Sequence, residues 1–214
     1  MKSSLISYTT AFNTSRDITW SFSFILTAAN TSSYSGGFCS FLYEHGNVPS
    51  NIGIRDSLSF TPWFSGTGTA FNGISGAIVG IGFDTTGNFG LSSNEKGTGL
   101  STPIPNSITI REGSQFSFLT CIPLSTFSSV YSLTTQAAFQ TLRFRLTNIG
   151  RTIEVSKFNS STLVYDTLIK QNLTSTVTPS AAMIGISYCS PITGEEDAIS
   201  DFRIKNFHCE GILI

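Results

Sequence analysis

The sequence has little charge, few cysteines and no long apolar run. Only 12% of its 214 residues are charged, and 12 Lys and Arg against 13 Asp and Glu leave a net charge of -1. So few cations give no positive field for nucleic acid or an anionic bilayer. No apolar stretch approaches the roughly 20 residues that span a bilayer, and the first fifteen residues do not resemble a signal peptide. We therefore expect neither nucleic-acid binding nor membrane insertion.

The four cysteines lie far apart in the chain, at Cys39, Cys121, Cys189 and Cys209. The sequence contains no C-x-x-C motif and no Cys/His cluster, which argues against a zinc site. Each cysteine lies in or beside an apolar stretch, where a free thiol behaves as a small hydrophobe. We expect four reduced thiols, although oxidising conditions would permit a bond between two of them.

What the sequence does contain is a period-two alternation of apolar and polar residues, typical of half-buried β-strands. Between Ile18 and Leu26 every even position is apolar, and most of the intervening positions carry hydroxyl groups. The segment Leu142–Asn148 repeats this pattern and is followed by the runs Thr152–Phe158 and Leu163–Ile169. Short turn sequences separate the three runs, so they predict an antiparallel three-stranded meander.

The rest of the chain also predicts strands. They are Phe38–Tyr43, Ala77–Asp84, Ser107–Arg111, Gln115–Cys121, Met183–Cys189 and Ile199–Cys209. The one helix-like stretch, Ser132–Leu142, is short. Ten or more short strands with at most one short helix predict an all-β sandwich of two antiparallel sheets. Because we find no linker and no internal repeat, we expect residues 1–214 to form a single domain.

Four stretches, in the order that the family requires, resemble the legume-type (L-type) lectins. Ala77–Thr85 resembles their V-x-V-E-F-D-T strand, and Ser35–Leu42 resembles their A-D-G-L-A-F-F-L strand. Trp20–Leu26 is similar to an early F-S-F strand, and Ile184–Ser187 to a late V-G-(I/F)-S strand. The resemblance spans roughly residues 18–209. It implies a concanavalin A-like jelly roll and a non-catalytic, carbohydrate-binding protein.

The resemblance also bears on metal binding. In the family, the Glu and Asp of E-F-D-T, an Asn four residues later, and a later Asp and His bind a manganese and calcium pair. Asp84 and Asn88 match the Asp and the Asn, but Gly82 replaces the Glu, and no histidine lies between His45 and His208. What remains could hold a lone Ca²⁺, since hard oxygen ligands suffice. The alternative is that the Asp84 carboxylate caps the turn that follows it.

The sugar-binding Asp of the family falls on a glycine in this sequence. Any glycan would therefore be bound by other groups at the same edge of the sandwich, by aromatic rings that stack on sugar C–H faces beside hydrogen-bonding groups. The candidate carbohydrate-binding residues are Tyr34, Gly36, Gly37, Tyr43, Asn88, Ser190, Thr193 and Gly194. For the two tyrosines, packing at strand edges is the alternative.

The sequence does not indicate an enzyme. A glycosidase of this fold needs two carboxylates about 5 to 9 Å apart on one face, and no E-x-D-x-E strand supplies them. The run Glu195–Asp197 follows Pro191 and Gly194 and is typical of a solvated loop. Gly80 and Gly82 lie within a strand rather than in a phosphate loop, and we expect them to leave room for Phe rings of a neighbouring strand.

A last pairing, Gly82–Gly87 with Pro105–Arg111, resembles lectin-like particle proteins of tailed bacteriophages and other viruses. It implies a virion or extracellular particle surface and attachment to cell-surface glycans. The partners would be those glycans, other virion proteins, or further copies in a homo-oligomer. The alternative is a purely structural assembly module that has lost sugar binding; a free soluble lectin and a glycosidase relative are further alternatives.

Overall fold

The structure is a computed structural model that describes residues 3–27, 36–47, 58–64, 70–93, 97–124, 139–147, 151–174, 180–189 and 201–213. The strands are β1 (Ser3–Ser7), β2 (Phe12–Asn13), β3 (Ile18–Thr27), β4 (Gly37–Glu44), β5 (Trp63–Phe64), β6 (Ala70–Phe71), β7 (Ala77–Asp84), β8 (Ser107–Glu112), β9 (Ser117–Pro123), β10 (Gln140–Thr147), β11 (Thr152–Asn159), β12 (Val164–Asn172), β13 (Ala181–Cys189) and β14 (Asp201–Glu210). One 3-10 turn covers Asn88–Gly90, and the described ranges contain no α-helix.

The strands form two large antiparallel sheets, as the alternation predicted. The seven-stranded sheet has the order β1-β13-β4-β7-β8-β9, and the short β2 also pairs with β13. The five-stranded sheet has the order β12-β11-β10-β3-β14, and β5 pairs with β6 separately. The predicted meander is confirmed as β10, β11 and β12, with a bulge between Val155 and Ser156.

Aromatic rings fill the core between the two sheets. The inward residues of β3, among them Trp20 and Phe22, are fully buried and stack on Phe144 of β10. From the other sheet, Phe38 and Phe83 stack on each other with their centroids 4.6 Å apart. Each such ring contributes roughly 1.5–3 kcal/mol by leaving water, so this core explains why the strands keep their alternation.

A second core covers the opposite face of the seven-stranded sheet. Cys39, Phe41 and Tyr43 of β4 face away from the sandwich, yet all three are buried. They are covered by side chains from the connecting segments, namely Leu58, Phe60, Ile74, Phe89 and Phe116. Because both faces of β4 are covered, its sequence is apolar almost throughout instead of alternating.

Three glycines of this sheet lie against aromatic rings. A Cβ at Gly80 would lie 2.6 Å from the ring of Phe60, and one at Gly82 would lie 2.3 Å from the ring of Phe89. Both rings belong to the connecting segments, so the expectation of rings from a neighbouring strand is wrong for these two positions. A ring from a neighbouring strand is found instead at Gly185 of β13, where a Cβ would lie 2.3 Å from the ring of Phe41.

The predicted short helix is wrong where the structure describes it. Residues 132–138 lie outside the described residues, but Gln140–Leu142 begin β10 and pair with Phe22–Phe24 of β3. Pairing with β3 buries Leu142, and this tertiary contact outweighs the weak helix propensity of the segment.

In the described part of the chain we find no helix long and apolar enough to cross a bilayer. All four cysteines are reduced, as predicted, and Cys39 and Cys189 are buried.

Candidate functional site

Two segments that the sequence places far apart meet at one end of the seven-stranded sheet. Because β4 and β7 are antiparallel, Gly37 at the start of β4 pairs with Asp84 at the end of β7. The carbonyl of Gly36 accepts hydrogen bonds from the backbone N–H of Thr85 at 3.0 Å and from its hydroxyl at 2.8 Å. We name Gly36, Gly37 and residues 84–90 the rim.

The Asp84 carboxylate organises the turn of the rim from inside. One oxygen accepts hydrogen bonds from the backbone N–H and the hydroxyl of Thr86, at 2.9 and 2.8 Å, and the other accepts from the N–H of Phe89 at 2.7 Å. Burial raises the pKa of Asp84, and these hydrogen bonds oppose that shift. The carboxylate therefore caps the turn. This is the role that the sequence predicted as the alternative to metal binding.

A buried arginine holds the segments that follow the rim. Arg111 of β8 has no exposed surface. Its guanidinium donates hydrogen bonds to four backbone carbonyls, those of Phe89 at 2.9 Å, Leu91 at 2.8 Å, Thr98 at 2.9 Å and Phe116 at 2.8 Å. Burial lowers the pKa of Arg111 to about 10, so the group remains charged at neutral pH.

The sequence predicts a strand that ends at Arg111, and it indicates no role for this residue at the site. The available signal was the alternation of β8, in which Arg111 falls on the same face as Ser107 and Thr109 and opposite Ile108 and Ile110. All of these residues are buried, because the second core covers the hydroxyl-bearing face. An arginine on a covered face needs hydrogen-bond partners within the protein.

The residues present do not fit the metal pair that the resemblance implies. The ring of Phe89 lies where a side chain at Gly82 would begin, so the space beside the missing Glu is occupied. Both oxygens of Asp84 already accept hydrogen bonds from the turn. The described residues contain no group of three or more His, Cys, Asp or Glu that could hold a metal ion. Asn88, the second predicted ligand, lies half-buried in the 3-10 turn.

The candidate carbohydrate-binding residues divide into three groups. Gly36 and Gly37 lie beside Thr85 and Asp84, and Asn88 lies in the 3-10 turn that follows them. Tyr43 lies near the other end of β4 with only 1% of its surface exposed, so its prediction as a sugar-stacking residue is wrong: alternation along β4 places it in the second core beside Phe41. The remaining candidates, Tyr34, Ser190, Thr193 and Gly194, lie outside the described residues.

A cavity of about 360 Å³ lies at the opposite end of the seven-stranded sheet from the rim. Its lining includes Ala77 at the start of β7 and the acidic residues Glu44 and Glu112 from the ends of β4 and β8. The Glu112 carboxylate accepts hydrogen bonds from the hydroxyl of Thr174 and from its backbone N–H, the latter at 2.9 Å. Glu112 therefore fastens the segment after β12 to the larger sheet.

Two antiparallel sheets, with connecting segments packed on the outer face of the larger one, define a jelly roll of the concanavalin A-like class. Neither a protein-family model nor a curated protein matches the sequence. Among solved structures, the chain is similar to the metal-free form of lectin I-B4 from Griffonia simplicifolia, with a TM-score of 0.65 and 15% identity over 97% of this chain and 80% of that one.

Two further structures extend this similarity. The seed lectin of Lotus tetragonolobus has a TM-score of 0.63 and 16% identity, and the match covers 99% of this chain and 82% of that one. The legume lectin-like domain from Entamoeba histolytica has a TM-score of 0.52 and 11% identity, with 99% and 79% covered. At such identities the similarity shows the fold, and the predicted legume-lectin-like jelly roll is confirmed.

Proposed function

We propose that this chain is a single, non-catalytic, lectin-like domain that binds a glycan at the rim. We propose further that it serves at the surface of a virion or other extracellular particle, where it attaches to host glycans. The observation that supports the binding site most directly is the closure of the rim, where Thr85 bonds to Gly36 and Gly37 pairs with Asp84. This closure holds the start of the segment that carries Asn88 beside the glycines that match the family's sugar-binding segment.

The chemistry of the rim favours a neutral, hydroxyl-rich ligand. Asp84 is buried and engaged within the turn, so it offers no charge at the surface. Asn88 carries an amide that both donates and accepts hydrogen bonds, and the Thr86 hydroxyl can accept a further hydrogen bond while donating to Asp84. Contacts of this kind bind a single sugar weakly, and a particle that displays many copies would gain affinity by multivalency.

A glycan microarray followed by titration calorimetry tests this site. We expect a neutral glycan to bind the wild-type protein, and Asn88→Ala to weaken binding about tenfold, as expected for the loss of one or two neutral hydrogen bonds. Gln171→Ala is the matched control, because it removes a side-chain amide from β12 of the other sheet. The proposal fails if no glycan binds, or if the two variants weaken binding equally.

A second candidate, a structural assembly module, is favoured by an apolar patch on the strands at one side of the molecule. In the pairing order β1 is an edge of the seven-stranded sheet and β14 is an edge of the five-stranded sheet. Ile6 of β1 is 58% exposed and Leu213, just after β14, is 57% exposed. The rings of Tyr8, just after β1, and Phe207 of β14 pack on each other with their centroids 5.5 Å apart. Edge strands with exposed apolar side chains can pair with another copy.

A further inference from the structure

The backbone of one residue, Phe89, is held from both sides by buried groups of opposite charge. Its N–H donates to the Asp84 carboxylate at 2.7 Å, and its carbonyl accepts from Nε of Arg111 at 2.9 Å. Its ring meanwhile lies against Gly82 of β7. We name Asp84, Phe89 and Arg111 the brace. The brace ties the rim to the strands on which it stands.

Arg111 extends the brace to the segments beyond the rim. The carbonyls of Leu91, Thr98 and Phe116 also accept from its guanidinium, so four carbonyls from three stretches of chain surround one cation. Phe116 has φ of 52°, an unfavourable backbone conformation for a bulky residue, and the hydrogen bond to Arg111 helps to hold it.

Carbonyl oxygens gathered around a buried positive charge are also the arrangement in which a protein binds a hard divalent cation. A guanidinium differs because its five N–H donors lie in a fixed plane and its charge is covalently attached to the fold. Buried carbonyls without partners would destabilise the loop, and a buried charge without hydrogen bonds would destabilise the core. Arg111 and the carbonyls satisfy each other.

We infer that the brace orders the rim of this protein without a divalent cation, and that Arg111 is the positioning residue that takes the place of the ion. The inference is independent of whether the rim binds a glycan. It rests on the hydrogen bonds of Asp84, Phe89 and Arg111 and on the ring of Phe89 beside Gly82.

The first test compares thermal unfolding of the wild-type protein in EDTA and in an excess of CaCl₂ and MnCl₂. A ligand that binds only the folded state raises Tm, so the inference predicts the same Tm under both conditions. Native-state hydrogen exchange gives a second readout, in which the amides of Phe89 and Leu91 should be equally protected with and without EDTA. A rise in Tm with either ion, or loss of amide protection in EDTA, overturns the inference.

The second test identifies the guanidinium as the organising group. Arg111→Ala should lower Tm, and methylguanidinium should restore part of the loss relative to the wild type in the same buffer, whereas methylammonium should not. The Tm of Arg111→Lys should lie between those of the wild type and Arg111→Ala, since an ammonium group has the charge without the planar fork. Arg145→Ala is the control, because that exposed arginine pairs only with the exposed Asp17 among the bonds described for it and should shift Tm little.

The outcomes of the second test are also decisive. If methylguanidinium and methylammonium restore the Tm of Arg111→Ala equally, then space or charge alone matters, and the positioning role is overturned. If Arg111→Ala does not fold, Arg111→Lys takes its place in the test, and a Tm equal to that of the wild type would overturn the positioning role. Failure of glycan binding would leave both results unchanged, so the two proposals are separable.

Discussion

Asp84 shows how one buried carboxylate can shape the rim. Its two oxygens accept hydrogen bonds from Thr86 and Phe89, which fixes the start and the end of the same turn. Gly87 between them has φ of 80°, and a Cβ there would lie 2.1 Å from the carbonyl oxygen of Ile104. The turn therefore needs both an acceptor at Asp84 and a glycine at Gly87.

The variant Asp84→Asn tests this role. An amide in place of the carboxylate turns an NH₂ donor toward Thr86 or Phe89, and a mismatched buried pair costs about 1–3 kcal/mol. Burial raises the pKa of Asp84 in the folded protein, so the folded state binds the proton more tightly than the unfolded chain. The free energy of unfolding contributed by this group should then fall as pH rises from about 4 through the raised pKa.

Urea denaturation of both proteins across this pH range measures the effect. We expect the stability advantage of the wild type over Asp84→Asn to be largest at the acidic end and to shrink toward neutral pH. An advantage that grows with pH would show that the hydrogen bonds outweigh desolvation and lower the pKa instead.

At the scale of single residues, the sequence located the rim but not what holds it together. Asp84 and Asn88 lie in a motif whose spacing survives, and the structure places them in one turn. Arg111 could not be given its role, because its partners are backbone carbonyls, which leave no trace in the side-chain pattern. The prediction that Tyr43 binds sugar at the surface is wrong, because the exposure of Tyr43 depends on connecting segments that pack over β4.

At the scale of elements, β7 is adapted to carry the second core. Its two internal glycines, Gly80 and Gly82, make room for the rings of Phe60 and Phe89. A strand normally loses stability through an internal glycine, which has no side chain to pack and more freedom to lose on folding. Here the rings that the glycines admit fill the space.

The substitution Gly82→Ala tests this packing. The Cβ of an alanine at this position would lie about 2.3 Å from the Phe89 ring. Overpacking of this kind lowers the free energy of unfolding by roughly 1–3 kcal/mol, and we expect a loss of that size here. In a Phe89→Leu background the same change should cost much less, because the two positions couple through direct contact.

Gly90→Ala is the matched control for Gly82→Ala. Its Cβ would find its nearest neighbour, the hydroxyl of Thr109, at 3.3 Å, so a small adjustment accommodates it. Urea denaturation of the single and double variants gives the coupling energy. Equal costs of Gly82→Ala in both backgrounds would contradict the proposed contact.

Element types followed from sequence where strands alternate, as in β3 and β10, since one buried face imposes a period of two. The start of β10 could not be predicted in this way. Gln140–Leu142 have little intrinsic preference for helix or strand, and pairing with β3 decides their conformation. In β4 the apolar run predicted a strand, but the covering segments on its second face could not be identified from residues so distant in the chain.

At the scale of the whole molecule, the two cores give the larger sheet two different tasks. Its inner face packs on the five-stranded sheet through aromatic rings, and its outer face supports the segments that carry the rim. The order of the lectin-like stretches predicts the two-sheet jelly roll, since each stretch corresponds to a strand of the larger sheet or to β3, but it does not predict the second core. The match to solved structures extends over nearly the whole chain.

The apolar patch on β1 and after β14 predicts self-association. Light scattering coupled to gel filtration should show a dimer or larger species for the wild type, and Ile6→Lys should shift it toward the monomer by placing a charge in the contact. Leu163→Lys is the control, because Leu163 is also exposed but lies in the β11–β12 hairpin. A wild-type protein that remains monomeric would remove the support for the assembly module.

We propose that the legume-lectin-like fold of this chain carries a glycan-binding rim that is held by protein groups alone. The most direct measurement is a glycan microarray probed with the wild-type protein in parallel in EDTA and in calcium. We expect the same glycans to bind with the same intensity in both buffers, and the signal to be weaker for Asn88→Ala. Binding that requires calcium, or no binding in either buffer, would contradict it.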